Sequence, residues 1–275
     1  MFDVSIVMVS YKMKDDIDKC FNTLFKDFEN SGLSVNVVVV DNDSRDGVKD
    51  FLKAKYPSVV CEALNNNGGF GRGQNIGIKS VDAKYYFILN PDVIFLQDKN
   101  IIKRMYDFME SHPKVGLLGP KILNIDGTLQ YSCFRFPIFW QPLFSRTRFG
   151  KKGIGKKVCD KFLMKDFDHN GTAPVDWVMG SAMFARKAAL DKVGLFDERF
   201  WMYAEDSDLC RRMWEAGWPV YYAHDIVIQH GHRRDSAKVQ GIFKALIKNK
   251  LARVHLTSWL KYMWKWRGNL KYYGH

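Results

Sequence analysis

Four polar groups interrupt apolar stretches at places where side chains could act together. Asp41 follows four valines in "VNVVVVDN" (35–42), and Asp92 sits between two apolar runs in "KYYFILNPDVIF" (84–95), behind Asn90 and Pro91. Glu205, Asp206 and Asp208 crowd three acids into four positions of "YAEDSDLCRR", and His230 ends the run "IVIQH". Each has two readings. Asp41 could accept a hydrogen bond from a base or ribose, or form an Asx turn or helix cap, as Asp43, Ser44 and Asp46 also could. Asp92 could ligate a hard cation, because Mg²⁺ is usually held by one or two carboxylates plus substrate phosphate oxygens; the alternative is a solvated turn. His230 is a ligand if it meets Asp92 in space, and otherwise a structural strand terminus. The acids of 205–208 suit the positive end of a helix dipole. Like charges so close also raise one another's pKa, which suits a general base near neutral pH.

The elements that must position these groups follow from hydrophobic period and turn signals. Strands are expected at 4–11, 35–42, 58–64, 84–90 and 115–120, with helices over roughly 15–30, 46–55, 72–80 and 98–112 between them. Such alternation implies a mostly parallel sheet with helices on both faces, in which alternate strand ends share a rim and Asp41 and Asp92 converge. The stretch "NNNGGFGRGQNIGI" enters the third helix, and backbone without Cβ at Gly68, Gly69, Gly71, Gly73 and Gly77 can approach a phosphate or nucleoside closely. It lacks the Gly-Lys-Ser/Thr of a P-loop, and a plain flexible loop is its other reading. After Pro120 the pattern changes. "GTLQYSCFRFP" (127–137) reads as a strand, 140–170 as a basic mobile loop, and "VDWVMGSAMFARKAAL" as strand then helix. A helix closed by Gly217 follows, then a strand ending in histidines. The last 38 residues read as an amphipathic helix through Val239, Ile242, Phe243, Leu246, Ile247, Leu251 and Val254, followed by Trp and Tyr alternating with lysines.

Bulk composition narrows the class. The 275 residues, 47% hydrophobic and 26% charged, fit one large domain or two joined ones and exclude disorder. No run of ~18 apolar residues spans a membrane, and "MFDVSIVMVSY" reads as a first strand, not a signal peptide. Five scattered cysteines without a C-x-x-C pair point to a reducing cytoplasm and against a zinc or disulfide framework. Charge is uneven: 238–275 carries nine Lys/Arg and no acid, and 145–165 carries eight against one acid, leaving −4 for the rest of a chain at +12. Nucleic acid or an anionic membrane could each attract such segments.

Taken in order, "SIVMVSYK", "VVVVDNDSRDG", "NNGGFGRGQNIGI", "FILNPDV", "VDWVMGSAMFARK", "GLFDERFWMYAEDSDLCRRMWEAGW" and "VIQHGHRRDS" resemble the inverting nucleotide-sugar glycosyltransferases of family 2, which have the GT-A fold. The resemblance covers about residues 3–236, and its motifs look most like bacterial rhamnosyltransferases and galactofuranosyltransferase relatives. It implies a Rossmann-like nucleotide-sugar half over 1–120, an acceptor and catalytic-base half over 121–236, and a basic helical tail over 237–275. It further implies that Ser10 and Tyr11 line the nucleotide pocket, that Asp41 bonds the pyrimidine edge, and that the loop around Gly69, Gly73 and Asn75 closes on base and ribose. Asn90 and Asp92 would stand where the family has D-x-D, with His230 as second metal ligand for Mg²⁺ or Mn²⁺. Asp176, Trp177 and Gly180, with Glu205, would floor the sugar and acceptor site, and Asp206 would be the base. Asn90 departs from the family's usual Asp, which removes one negative charge from the metal corner.

The expected substrates are a dTDP- or UDP-sugar, with rhamnose favoured, and a glycan or polyprenyl-diphosphate-linked acceptor in cell-surface polysaccharide synthesis. The expected location is cytoplasmic, or peripheral on the inner face of the membrane. The tail then meets anionic headgroups, or packs on the body or in a homodimer. Nucleic acid is not expected, because it would leave the acidic clusters of the body unexplained. A nucleotidyltransferase and a catalytically dead sugar-nucleotide binder are the remaining rivals.

Overall fold

The computed structural model describes residues 1–97, 99–145, 148–231, 249–269 and 271–274. In chain order the elements are β1 (Phe2–Ser10), α1 (Lys14–Phe28), β2 (Val35–Asp41), α2 (Val48–Lys55), β3 (Val60–Ala63), α3 (Phe70–Ser80), β4 (Ala83–Leu89), β5 (Val93–Phe95), α4 (Ile101–Ser111), β6 (Leu117–Leu123), β7 (Leu129–Gln130) and β8 (Cys133–Phe134). They continue with α5 (Gln141–Ser145), α6 (Gly153–Phe162), β9 (Ala173–Pro174), β10 (Trp177–Val178), β11 (Ala182–Arg186), α7 (Lys187–Val193), α8 (Glu205–Glu215), β12 (Val220–His230) and α9 (Lys250–Lys265).

The large sheet runs β3-β2-β1-β4-β11-β6-β12-β5. Its first four strands are mutually parallel, β11 is antiparallel to both neighbours, and β12 returns parallel to β6. The valine run of β2 is the physical reason for its central place: Val37, Val38, Val39 and Val40 are all buried, and β-branched side chains pack well on both faces of such a strand. Ile17, Cys20, Phe21 and Leu24 of α1 recur at helical spacing and are fully buried, covering one face of the sheet. On α3 a different device operates. A Cβ on Gly73 would lie 2.7 Å from Val9 Cγ2, and one on Gly77 would overlap Val7 Cγ1 and press on Val40. These two glycines let α3 sit close on β1 and β2.

Past residue 120 the structure departs from the sequence pattern. The segment 127–137 is not one strand: β7 pairs with β6 and β8 pairs with β10 in a separate two-stranded sheet. The stretch 140–170, expected as a mobile loop, forms α5, a 3₁₀ turn at Arg148–Lys151 and α6. Its lysines mask this, yet Lys156 and Lys165 both pair with Asp160. Of the expected tail helix, Val239, Ile242, Phe243, Leu246 and Ile247 lie outside the described residues, whereas Leu251 and Val254 belong to α9. That helix is packed on the body: Ala252, Ser258 and Tyr262 are buried. The five cysteines are free thiols.

The tight seat of α3 gives a test. Gly77→Ala places a methyl among Val7, Val40 and Val38. Overpacking should outweigh the better helix propensity of alanine and lower unfolding free energy by about 1–3 kcal/mol in urea melts, with the m-value unchanged.

Candidate active site

The carboxyl ends of the parallel strands supply the first groups. Ser10 ends β1 and Asp41 ends β2, paired side by side in register. Asp41 Oδ1 accepts the Ser44 N–H at 2.9 Å, so the Asx turn is present. Ser10 is fully buried and its hydroxyl has no hydrogen-bond partner among the described residues. Tyr11 is 46% exposed, with the Lys12 ammonium 5.5 Å above its ring. Asn42, not singled out from sequence, anchors the glycine-rich loop: its Nδ2 donates to the Gly69 carbonyl at 3.1 Å and its Oδ1 accepts from Gly68 at 3.0 Å. Gly69 has φ +89°, and a Cβ there would overlap the Trp201 carbonyl that accepts the Phe70 N–H. The loop is thereby stitched to 201, near the start of α8. Asn75 is spent on the same task, with Oδ1 accepting from Phe196 and Nδ2 donating to Phe196 O and Glu198 Oε1, each at 2.9 Å. Gly73 faces Val9.

The Asn-Pro-Asp corner follows β4. Asp92 Oδ1 and His230 Nε2 are 3.1 Å apart, with side chains 11% and 4% exposed, and the Gly231 N–H donates to the Asp92 carbonyl at 2.9 Å. Asn90 Nδ2 approaches His230 Nε2 at 3.5 Å. On the other side of the ring, His230 Nδ1 lies 3.1 Å from Gln130 Oε1. An amide oxygen only accepts, so Nδ1 donates there and Nε2 is the ring atom turned to Asp92. Among the described residues no cluster of three or more His, Cys, Asp or Glu could hold a metal. One carboxylate and one imidazole nonetheless fit a divalent cation that takes its remaining ligands from diphosphate and water. Gln130 is a residue the sequence reading missed, since a lone Gln two positions into a short strand carries no signal.

The base candidate stands on α8. Asp206 Oδ2 accepts the Gly180 N–H at 3.0 Å, and Oδ1 accepts the Ser207 N–H at 2.7 Å. Burial pushes its carboxyl up to about 6, against the lowering effect of those N–H donors. Glu205 is driven well above the ordinary range, first by burial and then by the Asp206 charge. Proximity of like charges was the expected cause; desolvation is the larger one. Tyr203 and Ala204, just before α8, hold left-handed φ of +69° and +67°, a strain of roughly 1–2 kcal/mol per residue for L-amino acids. Asp208 is not part of the pocket. Its Oδ1 accepts from Lys265 Nζ at 2.7 Å and Trp266 Nε1 at 2.9 Å, and its Oδ2 from Arg212 Nε at 2.9 Å.

Of the expected sugar-site residues, Gly180 alone among 176, 177 and 180 touches Asp206. Asp176 is fully buried and accepts backbone N–H groups from Phe136, Tyr273 and Gly274; burial raises its pKa while those donors lower it. Trp177 stacks on Phe134 with centroids 4.4 Å apart and donates to the Arg135 carbonyl. Both fix the segment that ends in Gly180.

One connection joins the two candidate centres. The Asn90 N–H donates to the Ser181 carbonyl at 2.9 Å, and Gly180, one residue earlier, donates to Asp206. The Asn90–Asp92–His230 corner and Asp206 are therefore linked across the β4–β11 edge by one backbone–backbone hydrogen bond and one from backbone to carboxylate. Comparison with known proteins identifies the family. The profile of Glycosyl transferase family 2 matches residues 5–166, more than half of the sequence. The chain belongs to this family. The profile of Glycosyl transferase family group 2 matches residues 155–271. An N-acetylglucosaminyl-diphospho-decaprenol L-rhamnosyltransferase of Mycobacterium tuberculosis is 28% identical over 71% of the chain, which spans 66% of that relative's length. Rhamnosyltransferase WbbL of Escherichia coli K12 is 28% identical over 94% of the chain and 92% of its own length. Among solved structures, a mannosyltransferase of Pyrobaculum calidifontis in complex with GDP-Man and Mn²⁺ superposes with TM-score 0.58 at 15% identity, covering 94% of this chain and 70% of that one. Staphylococcus aureus TarS (1–349) gives 0.58 at 16%, covering 96% and 72%. The fold is GT-A.

Orientation of His230 by Gln130 is testable through metal affinity. Gln130→Leu removes the acceptor and should weaken Mn²⁺ binding about 10-fold, as outer-shell losses do; titration of free Mn²⁺ by electron paramagnetic resonance reads this without turnover.

Proposed function

We propose that this family 2 glycosyltransferase is an inverting enzyme that moves a sugar, with rhamnose from dTDP-rhamnose as the leading donor, to a hydroxyl of a polyprenyl-diphosphate-linked glycan. What carries the reading is the backbone bridge that sets Asp206 and the Asn90–Asp92–His230 corner on one rim. Rhamnose draws support from the names of the mycobacterial and Escherichia coli relatives and the lipid-linked acceptor from that of the mycobacterial one; a UDP-sugar is the competing donor, since TarS was solved in complex with UDP.

In this reading Ser10, Tyr11 and Asp41 receive the nucleoside, and the loop at Gly69, held by Asn42 and Asn75, covers it. Asp176 and Trp177 act by holding the floor at Gly180, and Glu205, its carboxyl raised by burial and by the Asp206 charge, stands beside the base. Asp206 Oδ takes the acceptor hydroxyl proton as that oxygen bonds to the anomeric carbon, whose bond to the diphosphate oxygen breaks on the opposite face; one displacement inverts the centre. The two N–H donors keep the carboxylate aimed while leaving it basic enough to work near neutral pH. Asp92 and His230 would hold Mg²⁺ or Mn²⁺, which supplies Lewis-acid stabilisation of charge on the leaving nucleoside diphosphate.

Two outcomes are expected. Asp206→Asn should lower kcat by about 10²–10⁴-fold while calorimetry shows nearly unchanged donor binding; near-normal turnover removes Asp206 as base. Because its deprotonated form is the active one, wild-type kcat should rise through a pH of about 6 and then level. A thermal-shift panel of dTDP- and UDP-sugars with Mn²⁺ chooses the donor.

A further inference from the structure

The helix α9 has two unlike faces. Its inner face carries Ala252, Ser258 and Tyr262 against the body. The opposite stripe, at helical spacing, is Arg253, Thr257, Leu260 and Trp264, with Arg267 just past the helix end, all exposed, Leu260 at 48% and Trp264 at 65%; Lys261 lies on the flank, its ammonium donating to the Arg199 carbonyl at 2.8 Å. A helix face in water normally mixes both signs of charge and avoids tryptophan; residues 249–274 contain no acid at all. A second element widens the patch. Phe139 and Trp140 are 51% and 57% exposed, and the Phe139 ring sits 5.1 Å from Trp259 on the flank of the helix. Between α9 and the 199–200 segment runs a groove of about 440 Å³ whose apolar lining includes Phe200, Leu260 and Trp264, with Lys261 and Lys265 beside them.

We propose that this outer face of α9, with Phe139 and Trp140, is a docking surface for an anionic lipid bilayer. Tryptophan and phenylalanine prefer the headgroup level, and lysine and arginine beside them meet lipid phosphates. The charge complementarity selects this occupant over a second copy of the chain, because two such faces brought together would oppose cation to cation. Docking also explains the packing behind the helix. Ser258 Oγ donates to Met202 O at 2.8 Å, Lys265 bridges Asp197 and Asp208, and Trp266 bonds Asp208; the surface that meets lipid is thus fixed to the helix bearing Asp206. That consequence rests on the transferase reading, since it places the base where a lipid-linked hydroxyl arrives.

The test is co-sedimentation of the full chain with phosphatidylcholine vesicles, with or without phosphatidylglycerol as about one third of the lipid. Binding should be about tenfold stronger to the anionic vesicles and should fall away in about 0.5 M NaCl. Leu260→Ser/Trp264→Ser and Arg253→Glu/Arg267→Glu should each lose about tenfold in binding, with circular dichroism checking that each variant is folded. Equal sedimentation of wild type and both double variants, or no preference for anionic lipid, overturns the proposal. So does light scattering in which Leu260→Ser/Trp264→Ser splits a dimer while vesicle binding stays as it was. Asp206→Asn should sediment like wild type. Vesicle binding without any transfer therefore strikes only the transferase reading, and transfer to a soluble acceptor by a chain that ignores vesicles strikes only the docking surface.

Discussion

Two hydrogen bonds donated by backbone N–H groups hold the candidate site's geometry. Asn90 N–H to Ser181 O and Gly180 N–H to Asp206 Oδ2 tie the end of a parallel strand, the start of an antiparallel one and the first turn of α8 into one rim. Neither bond depends on a side chain that could rotate away, apart from the carboxylate itself. Gly180 is small for a reason, because a Cβ there would lie 3.4 Å from both Asp206 Cβ and Oδ2. A Cβ would just touch the carboxylate, and any larger side chain would compete with it for the same space. The same edge fixes where Asp92 begins, so the distance a substrate must bridge between base and cation corner is a property of the sheet.

The electrostatics of α8 work against stability. A carboxyl lifted to about 6 in the folded chain binds its proton more tightly there than when unfolded. Its contribution is therefore fully present below the ordinary carboxylate range and is lost as pH rises through about 6. Near neutral pH the fold holds a partly desolvated charge next to Glu205 and after two left-handed residues. Opposing terms come from the far side of the same helix, where buried Asp208 is met by Lys265, Arg212 and the Trp266 indole. Breaking one partner of such a buried set leaves an uncompensated charge, which is the costly case. The acids at 206 and 208 thus divide the work: one is left reactive, and the other anchors the helix that carries it.

Much of this was legible in the residues. The valines before Asp41, the apolar run before Asn90 and the acids of 205–208 each mark an element end by period and composition, and topology then forces the first two onto one rim. Partners distant in sequence were not legible. Gln130 meets His230 from 100 positions away, Asn42 holds a loop 26 positions on, and nothing local distinguishes either from a surface amide. Asp176, expected in the sugar site, accepts backbone N–H groups of 136, 273 and 274, partners that no local pattern announces. Helix α6 was hidden because its lysines lowered the apolar contrast that reveals a helical period, although lysine itself is a good helix former.

The basic tail reconciles two readings that sequence alone sets against each other. Packing on the body and meeting a charged surface are exclusive for a thin peptide but not for a helix about 10–12 Å across with side chains on every side. Tyr262 is buried while Trp264, two positions on, is 65% exposed, so α9 satisfies both demands at once. Its inner contacts run to Met202, Arg199, Asp197 and Asp208, all within or beside the turn that presents Asp206. The outer face is therefore joined to the helix that carries Asp206 by hydrogen bonds and an ion pair. Net charge divides along the sequence in the same way: 145–165 and 238–275 carry the excess of cations, and the remainder of the chain stands at −4.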